Sequence, residues 1–406
     1  MLNRAFRPAR LAAALLLAAA TLPAAPNDKP VNWNGGIPEP YHTESATNRP
    51  KMVERPAGAE LKLPDGFQVE EFAVNPDWVR PRFVLTLPND HVLLTDSAGS
   101  DPEGVVYHLG PDGKTLGKVI EDLHRPFGMV YHDGMLWVAE ATSLKRYPFD
   151  AEAVKTTGPG EEIYSMAEFG KGHWTRSVAF NNDHSKLYLT IGSGSNVDPG
   201  DPKERATIMR MNPDGSGAEI YAEGLRNVVG LRTHPETDKV WGAIQERDGL
   251  GDGLVSDFLV QPKKGGFYGW PYAYTGPHED PRRKGEAPKK VKKTLYPDVL
   301  LGAHVAVMDI LFYTGDQFPA KYKNSLLLAF HGSGNRSDRV GYSIAVVPFK
   351  NGKPTGGPQE LLTGFMLSPD DQRVWGRPVG LAQMSDGSVL FTDDGANKVW
   401  RISYGE

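Results

Sequence analysis

Residues 125–147 read "RPFGMVYHDGMLWVAEATSLKRY": apolar and polar positions alternate on both sides of Asp133 and Gly134, a second apolar run ends in Glu140, and a third carries Lys145 and Arg146. Alternation with a period of two predicts half-buried β-strands, and Asp-Gly between two such runs predicts a tight hairpin. Residues 376–404, "GRPVGLAQMSDGSVLFTDDGANKVWRISY", repeat the same order. Looser copies start at Arg80, Trp174, Arg226 and Met308, giving about six units separated by insertions of unequal length.

A small antiparallel meander of this kind cannot bury its apolar faces alone. Several set radially bury one another and leave only short edges. The expected fold is therefore all-β, a six-bladed β-propeller, with a pair of β-sandwiches as the runner-up. Long amphipathic helices between strands, which an α/β fold or a TIM barrel requires, are absent from the pattern. Residues 59–406 are expected to form the propeller, and the polar, proline-rich residues 26–58 an extended arm.

Composition agrees with this reading. With 39% hydrophobic and 23% charged residues the 406-residue chain is an ordinary globular one, and its 45 glycines and 33 prolines cluster between short apolar runs. The first 25 residues combine Arg4, Arg7 and Arg10 with an apolar run from Leu11 to Ala20 and small residues at Ala24 and Ala25. That run is too short to span a bilayer, so a cleaved signal peptide and a periplasmic or secreted protein are expected. Losing three arginines takes the formal charge from −5 to −8, which argues against general nucleic-acid binding. The exception is a basic run, "PRRKGEAPKKVKK" at residues 281–293, read as a solvated loop or, more sharply, as a dock for an acidic partner. No cysteine is present, which excludes disulfides, thiolate metal sites, covalently attached haem and a thiol nucleophile.

In a propeller, the segments leading into the innermost strands converge on one end of the channel. Here they supply Arg125, His173 with Arg176, Arg226 with Asn227, His304, His331 with Arg336, and Arg377. Gathering so many cations costs repulsion unless an anion compensates, so a polyanionic ligand is expected.

Six motifs in order, "GHWTRS", "EGLRNVVGL", "QERDGLGD", "GGFYGWPY", "FHGSGNR" and "WGRPVGL", make the chain resemble the soluble sugar dehydrogenases that depend on pyrroloquinoline quinone (PQQ), in their sorbosone and aldose sugar dehydrogenase branch. The resemblance runs from Leu61 to Tyr404 and implies a six-bladed propeller that oxidises an aldose or sugar aldehyde and passes electrons to an external acceptor. It places His173 as the general base, with Ser193 or Asn196 where its orienting group belongs. Arg226 and Asn227 would contact the quinone, Arg226 also stabilising negative charge during reduction, and Arg176, His331, Arg336 and Arg377 would complete the cofactor site. Calcium is the implied metal, with the carbonyls of Glu246, Arg247 and Asp248 as ligands. Tyr268 and Trp270 are read as structural. Two other classes stay open: a calcium-dependent sugar lactone hydrolase of propeller type, and a non-catalytic propeller scaffold.

Overall fold

The computed structural model describes residues 28–98 and 101–405, so the expected signal peptide at residues 1–25 lies outside the described residues. Six antiparallel sheets of four or five strands follow one another along the chain. Their first strands are 81–86, 129–132, 178–180, 227–233, 307–312 and 378–383, and each pairs with the next strand in sequence, as the alternating pattern predicts. We number these sheets blades 1 to 6. Blade 3 gains an extra parallel strand, Gly266–Phe267, and the outermost strand of blade 6 is Phe67–Val74, which pairs with Lys398–Tyr404. The two ends of the propeller are thus stitched into one blade, which closes the ring.

Among the described residues the buried apolar side chains form seven clusters; five lie between two neighbouring blades, one joins blades 1 and 2 and reaches Val229, Met308 and Val379 around the channel, and a small one of Leu250, Leu254, Val255 and Tyr274 sits in the connecting segments. Between blades 5 and 6, for example, Tyr313, Leu327 and Ile344 meet Trp375, Phe391 and Trp400. This is the burial that no single meander can supply.

Two recurrent polar devices fix the channel end where the innermost strands begin. The acid closing a second strand accepts from the backbone leading into the first: Asp96 from Val79 and Arg80 N–H, Glu140 from His124 N–H, and Asp393 from Arg377 N–H. A threonine in the same strand satisfies backbone that a bulge frees. Thr95 accepts from Phe83 N–H and Thr392 from Gly380 N–H, beside register shifts in the strands at 81–84 and 378–381. Residues 28–58 run over the same end of the molecule, where Tyr41 N–H donates to Leu250 O and Asn48 N–H to Gly334 O.

Candidate functional site

Two adjoining cavities open where the innermost strands begin, and His173, Gln245 and Ala306 line both. The smaller, about 170 Å³, is also lined by Arg226, Glu246, Asp248, Asp257, His304, Gly334 and Asn335. The larger, about 410 Å³, is lined by Arg82, Trp174, Asn227, Met308 and His331 among others. The latter volume lies in the range of small-molecule sites.

His173 is held on one side only. Its Nδ1 lies 2.9 Å from Ser193 O and 3.0 Å from Ser193 Oγ, whose own proton goes to Ser195 O. Both neighbours of Nδ1 accept, so Nδ1 carries the ring proton and Nε2 keeps a free lone pair. Burial and the nearby Arg226 charge push the imidazole down to about 3, so it is neutral across the physiological range. The loop is packed without slack: a Cβ at Gly192 would stand 2.4 Å from Asn227 Oδ1 and 2.7 Å from His173 Cβ.

Arg226 is buried and bound to carbonyl-type oxygens, through Nε to Asn196 O at 3.2 Å, Nη2 to Asn196 Oδ1 at 3.0 Å and Nη1 to Gln245 O at 3.4 Å. Three of its five donors are used, which leaves two for an anion. Asp248 stands 3.9 Å from Arg226 and 3.1 Å from His304 Nδ1. His304 Nε2 faces Gly251 O at 3.1 Å, so both ring nitrogens face acceptors, an arrangement that favours the protonated ring. Burial opposes that charge, but Asp248 and the Gly251 carbonyl outweigh it and raise the imidazole above its ordinary value. Asp257, buried beneath, accepts from Glu246 and Val307 N–H, and burial lifts its carboxyl to about 7.

The other side of the larger cavity is organised by Asp394. It pairs with Arg82 and accepts from His331 Nε2 at 2.7 Å. Burial, reinforced by Arg377, lowers His331 to about 4, so it donates as a neutral ring. Burial alone would raise Asp394, but His331, Arg82 and Arg377 hold it well below the usual carboxylate range. Arg82 lies 5.2 Å and Arg125 5.8 Å from the Trp174 ring centroid, so cation–π contact fixes the indole at the cavity wall.

Of the residues read from the sequence, His173, Arg226, Asn227, Glu246, Asp248, His304 and His331 line the two cavities, and Arg125, Arg176, Arg247, Arg336 and Arg377 do not. Arg176 is buried and donates to the carbonyls of His173 (2.7 Å) and Thr175 (3.0 Å), which makes it a brace for the His173 backbone. Arg247 is fully enclosed, bound to Glu246, Asp280 and the carbonyls of Pro271 and Ala273. Arg336 donates to Asp252 O, and Arg377 Nε to His331 O. Trp270 donates to Asn196 O and supports Arg226 from behind. Arg82, Gln245, Asp257 and Asp394 were not singled out from the sequence. For Arg82 the repeat gave no signal: the blade 1 residue in the position of Arg377 is Arg80, each donating its backbone N–H to the acid that closes the second strand, and Arg82 falls two residues later, inside the strand.

Residues 137–333 match the family described as Glucose / Sorbosone dehydrogenase, and residues 279–405 match a second described as TrAA12-like. An uncharacterized protein of Borreliella burgdorferi is 31% identical over 356 residues, covering 85% of this chain and 91% of that one. The aldose sugar dehydrogenase of Escherichia coli is 33% identical over 114 residues, 27% of this chain and 28% of that one. Among solved structures, the Trichoderma reesei AA12 carbohydrate-active enzyme in its calcium form superposes with a TM-score of 0.71 at 19% identity, covering 88% of this chain and all of that one. The holo PQQ domain of the Coprinopsis cinerea pyranose dehydrogenase gives 0.68 at 19% identity over the same shares. These likenesses establish the shared propeller fold. The family match over residues 137–333, and not the superpositions, points to a sugar dehydrogenase-like oxidoreductase. The chain belongs to the glucose/sorbosone dehydrogenase family.

Proposed function

We propose that this protein is an exported PQQ-dependent dehydrogenase that oxidises an aldose or sugar aldehyde and hands the electrons to a separate acceptor. The observation that carries this reading is a neutral imidazole, His173, with its Nε2 lone pair free beside a cavity of about 410 Å³ that carries Arg82 in its wall and adjoins the smaller cavity of Arg226. The wall also holds buried polar atoms without partners, Arg82 Nε and Asn227 Oδ1. Such atoms cost free energy unless a ligand completes them, and a planar tricarboxylate with a ring N–H has the complementary groups. Pyrroloquinoline quinone, when bound, supplies the two-electron acceptor.

The protein's own part is then proton handling and charge placement. His173 Nε2 takes the proton of the substrate hydroxyl as hydride leaves the same carbon, so a CH–OH becomes C=O. Ser193 O holds Nδ1–H throughout and stabilises the imidazolium that forms. The two spare donors of Arg226 offer fixed positive charge for oxygen that becomes anionic, with no reorganisation needed because Asn196 and Gln245 already set the guanidinium. Arg82, tied to Asp394, would hold a carboxylate, and His331 fixes Asp394 from the other side.

Calcium fits the protein groups less well. The Asp248 carbonyl already accepts from Arg282 Nη1 at 2.8 Å and Asn196 Nδ2 at 3.0 Å, so the three carbonyls of 246–248 are not jointly free. Among the described residues no group of three or more His, Asp or Glu is arranged to hold a metal.

The test is reconstitution of the purified protein with the quinone, with and without calcium, followed by dye reduction across a panel of aldoses. Saturable quinone binding with sugar-dependent dye reduction is expected. Absence of quinone binding would sink the reading.

A further inference from the structure

The basic run at 281–293 lies against the site. Pro281–Arg283 forms a short 3-10 turn and Pro288–Lys293 a six-residue helix. The two arginines of the run face inward. Arg282 Nη1 donates to Asp248 O at 2.8 Å, and Arg283 Nε donates to Val197 O at 2.9 Å while its Nη2 pairs with Asp198 at 2.7 Å. Asp248 and the 195–198 turn are also what hold Arg226, through Asn196. The segment is therefore built onto the rim of the smaller cavity.

The lysines face outward. Lys284, Lys289, Lys290, Lys292 and Lys293 are all exposed. Lys290 lies over the Phe267 and Tyr272 rings, at 5.3 and 5.7 Å. No acidic partner stands by Lys284, Lys289, Lys292 or Lys293 among the described residues, and the only acid of the run, Glu286, pairs with Arg283. Four lysines in a six-residue helix repel one another, and of the four only Lys290, over its two rings, gains anything from within the fold. They stand on a chain whose formal charge is −5, so an acidic molecule is repelled by the protein as a whole and attracted at this rim.

We propose that this lysine face is the docking surface for an acidic electron-accepting protein with a one-electron centre, a proposal that rests on the dehydrogenase reading. Oxidation of one CH–OH to C=O releases two electrons and two protons. Two acceptor molecules dock in turn and take one electron each, and the protons pass to solvent. Charge steering at the rim sets the productive face of the acceptor toward the site and raises the association rate.

The experiment uses the reconstituted enzyme with mitochondrial cytochrome c, which is basic, and with the same cytochrome after succinylation of its lysines, which is acidic. The variant is Lys289→Glu/Lys292→Glu/Lys293→Glu. The wild type is expected to reduce the succinylated form about tenfold faster than the variant does at 0.01 M ionic strength, where the Debye length is ~30 Å, and the gap is expected to close near 0.15 M. A small neutral dye is expected to be reduced equally by both proteins.

Equal rates on the succinylated cytochrome, with dye reduction intact, overturn the docking surface and leave the dehydrogenase standing. An equal fall on dye and cytochrome also overturns it, because the lysines would then shape the site itself. Loss of binding to phosphatidylglycerol vesicles with unchanged cytochrome rates overturns it in favour of a membrane-facing patch. Failure of the wild type to reduce dye at all defeats the dehydrogenase reading and this proposal together.

Discussion

The two ends of the channel are built from the same six strands and differ in how far their polar groups are satisfied. At the end where the strands finish, a cavity of about 460 Å³ is walled mainly by apolar residues such as Phe83, Val130, Phe180 and Leu381. Its charged pair, Arg232 and Asp309, is internally complete: Asp309 accepts from Arg232 Nη2 at 2.8 Å, Leu381 N–H at 3.0 Å and Ile310 N–H at 2.9 Å. At the end where the strands begin, among the described residues His173 Nε2 has no partner and Asn227 Oδ1, Glu246 Oε1 and Arg82 Nε are buried without one. Buried polar atoms left open are costly; the walls of the two cavities at this end carry them and the residues lining the apolar cavity do not, which marks where a ligand belongs. Fold alone gives both ends equal claim; bonding capacity separates them.

The strongest way to break this comparison is to remove the group that the open end exists to position. His173→Ala is expected to lower kcat by about 10²–10⁴-fold, the usual contribution of a general base, while the dissociation constant for the quinone stays within a few-fold. Stopped-flow reduction and quinone titration on the same preparation separate the two. Loss of both together would make His173 a structural residue. The pH dependence is a second handle. The imidazole is lowered to about 3, so no loss of kcat/KM from His173 protonation is expected between pH 8 and pH 5. A limb at the ordinary histidine value, near pH 6.5, would contradict the buried, Arg226-facing environment.

The comparison sharpens when one carboxylate is removed from each end. Burial outweighs Arg232 and lifts Asp309 to about 6, yet three donors still depend on it. Asp309→Ala is expected to cost about 3–5 kcal/mol of stability, because a guanidinium and two backbone N–H groups lose their acceptor, with kcat per folded molecule unchanged. Asp394→Ala is expected to cost a similar amount and also to weaken quinone binding, since Arg82 and His331 lose the group that sets them. Urea midpoints and quinone titrations on both variants read the difference. If Asp309→Ala weakened quinone binding as much as Asp394→Ala, the two ends would not be functionally distinct.

What the sequence shows and hides follows from range. Strand alternation and Asp-Gly turns act over a few residues, so the six blades were legible and every repeat unit became a blade. The acid ending the second strand was visible in the repeat, although its task of holding the next lead-in backbone was not. Asp394 and Arg82 stand 312 residues apart and meet only because blade 6 closes on blade 1, which no local pattern encodes. Arginines at equivalent positions of the repeat, each two residues before a buried valine of an innermost strand, also separated: Arg226 lines a cavity, whereas Arg176 turned onto its own loop carbonyls. That choice depends on which acceptors the neighbouring loop leaves open.

The smallest expected effect concerns the group that orients His173. Many catalytic histidines rely on a carboxylate at Nδ1, and the turn "GSGSN" offers none there. The structure substitutes a backbone carbonyl and a hydroxyl on the same residue, at 2.9 and 3.0 Å. The carbonyl survives any side-chain replacement, so Ser193→Ala removes one of two acceptors and is expected to lower kcat only about 2–10-fold, the effect of one neutral hydrogen bond of roughly 0.5–1.5 kcal/mol. Ser193→Asp sharpens the point from the other side. A carboxylate beside Nδ1 would favour the protonated ring, so His173 would titrate at a higher pH than in the wild type and an acid limb would appear in the rate profile. A drop in the Ser193→Ala variant as large as that of His173→Ala would mean that the hydroxyl, and not the carbonyl, fixes the tautomer.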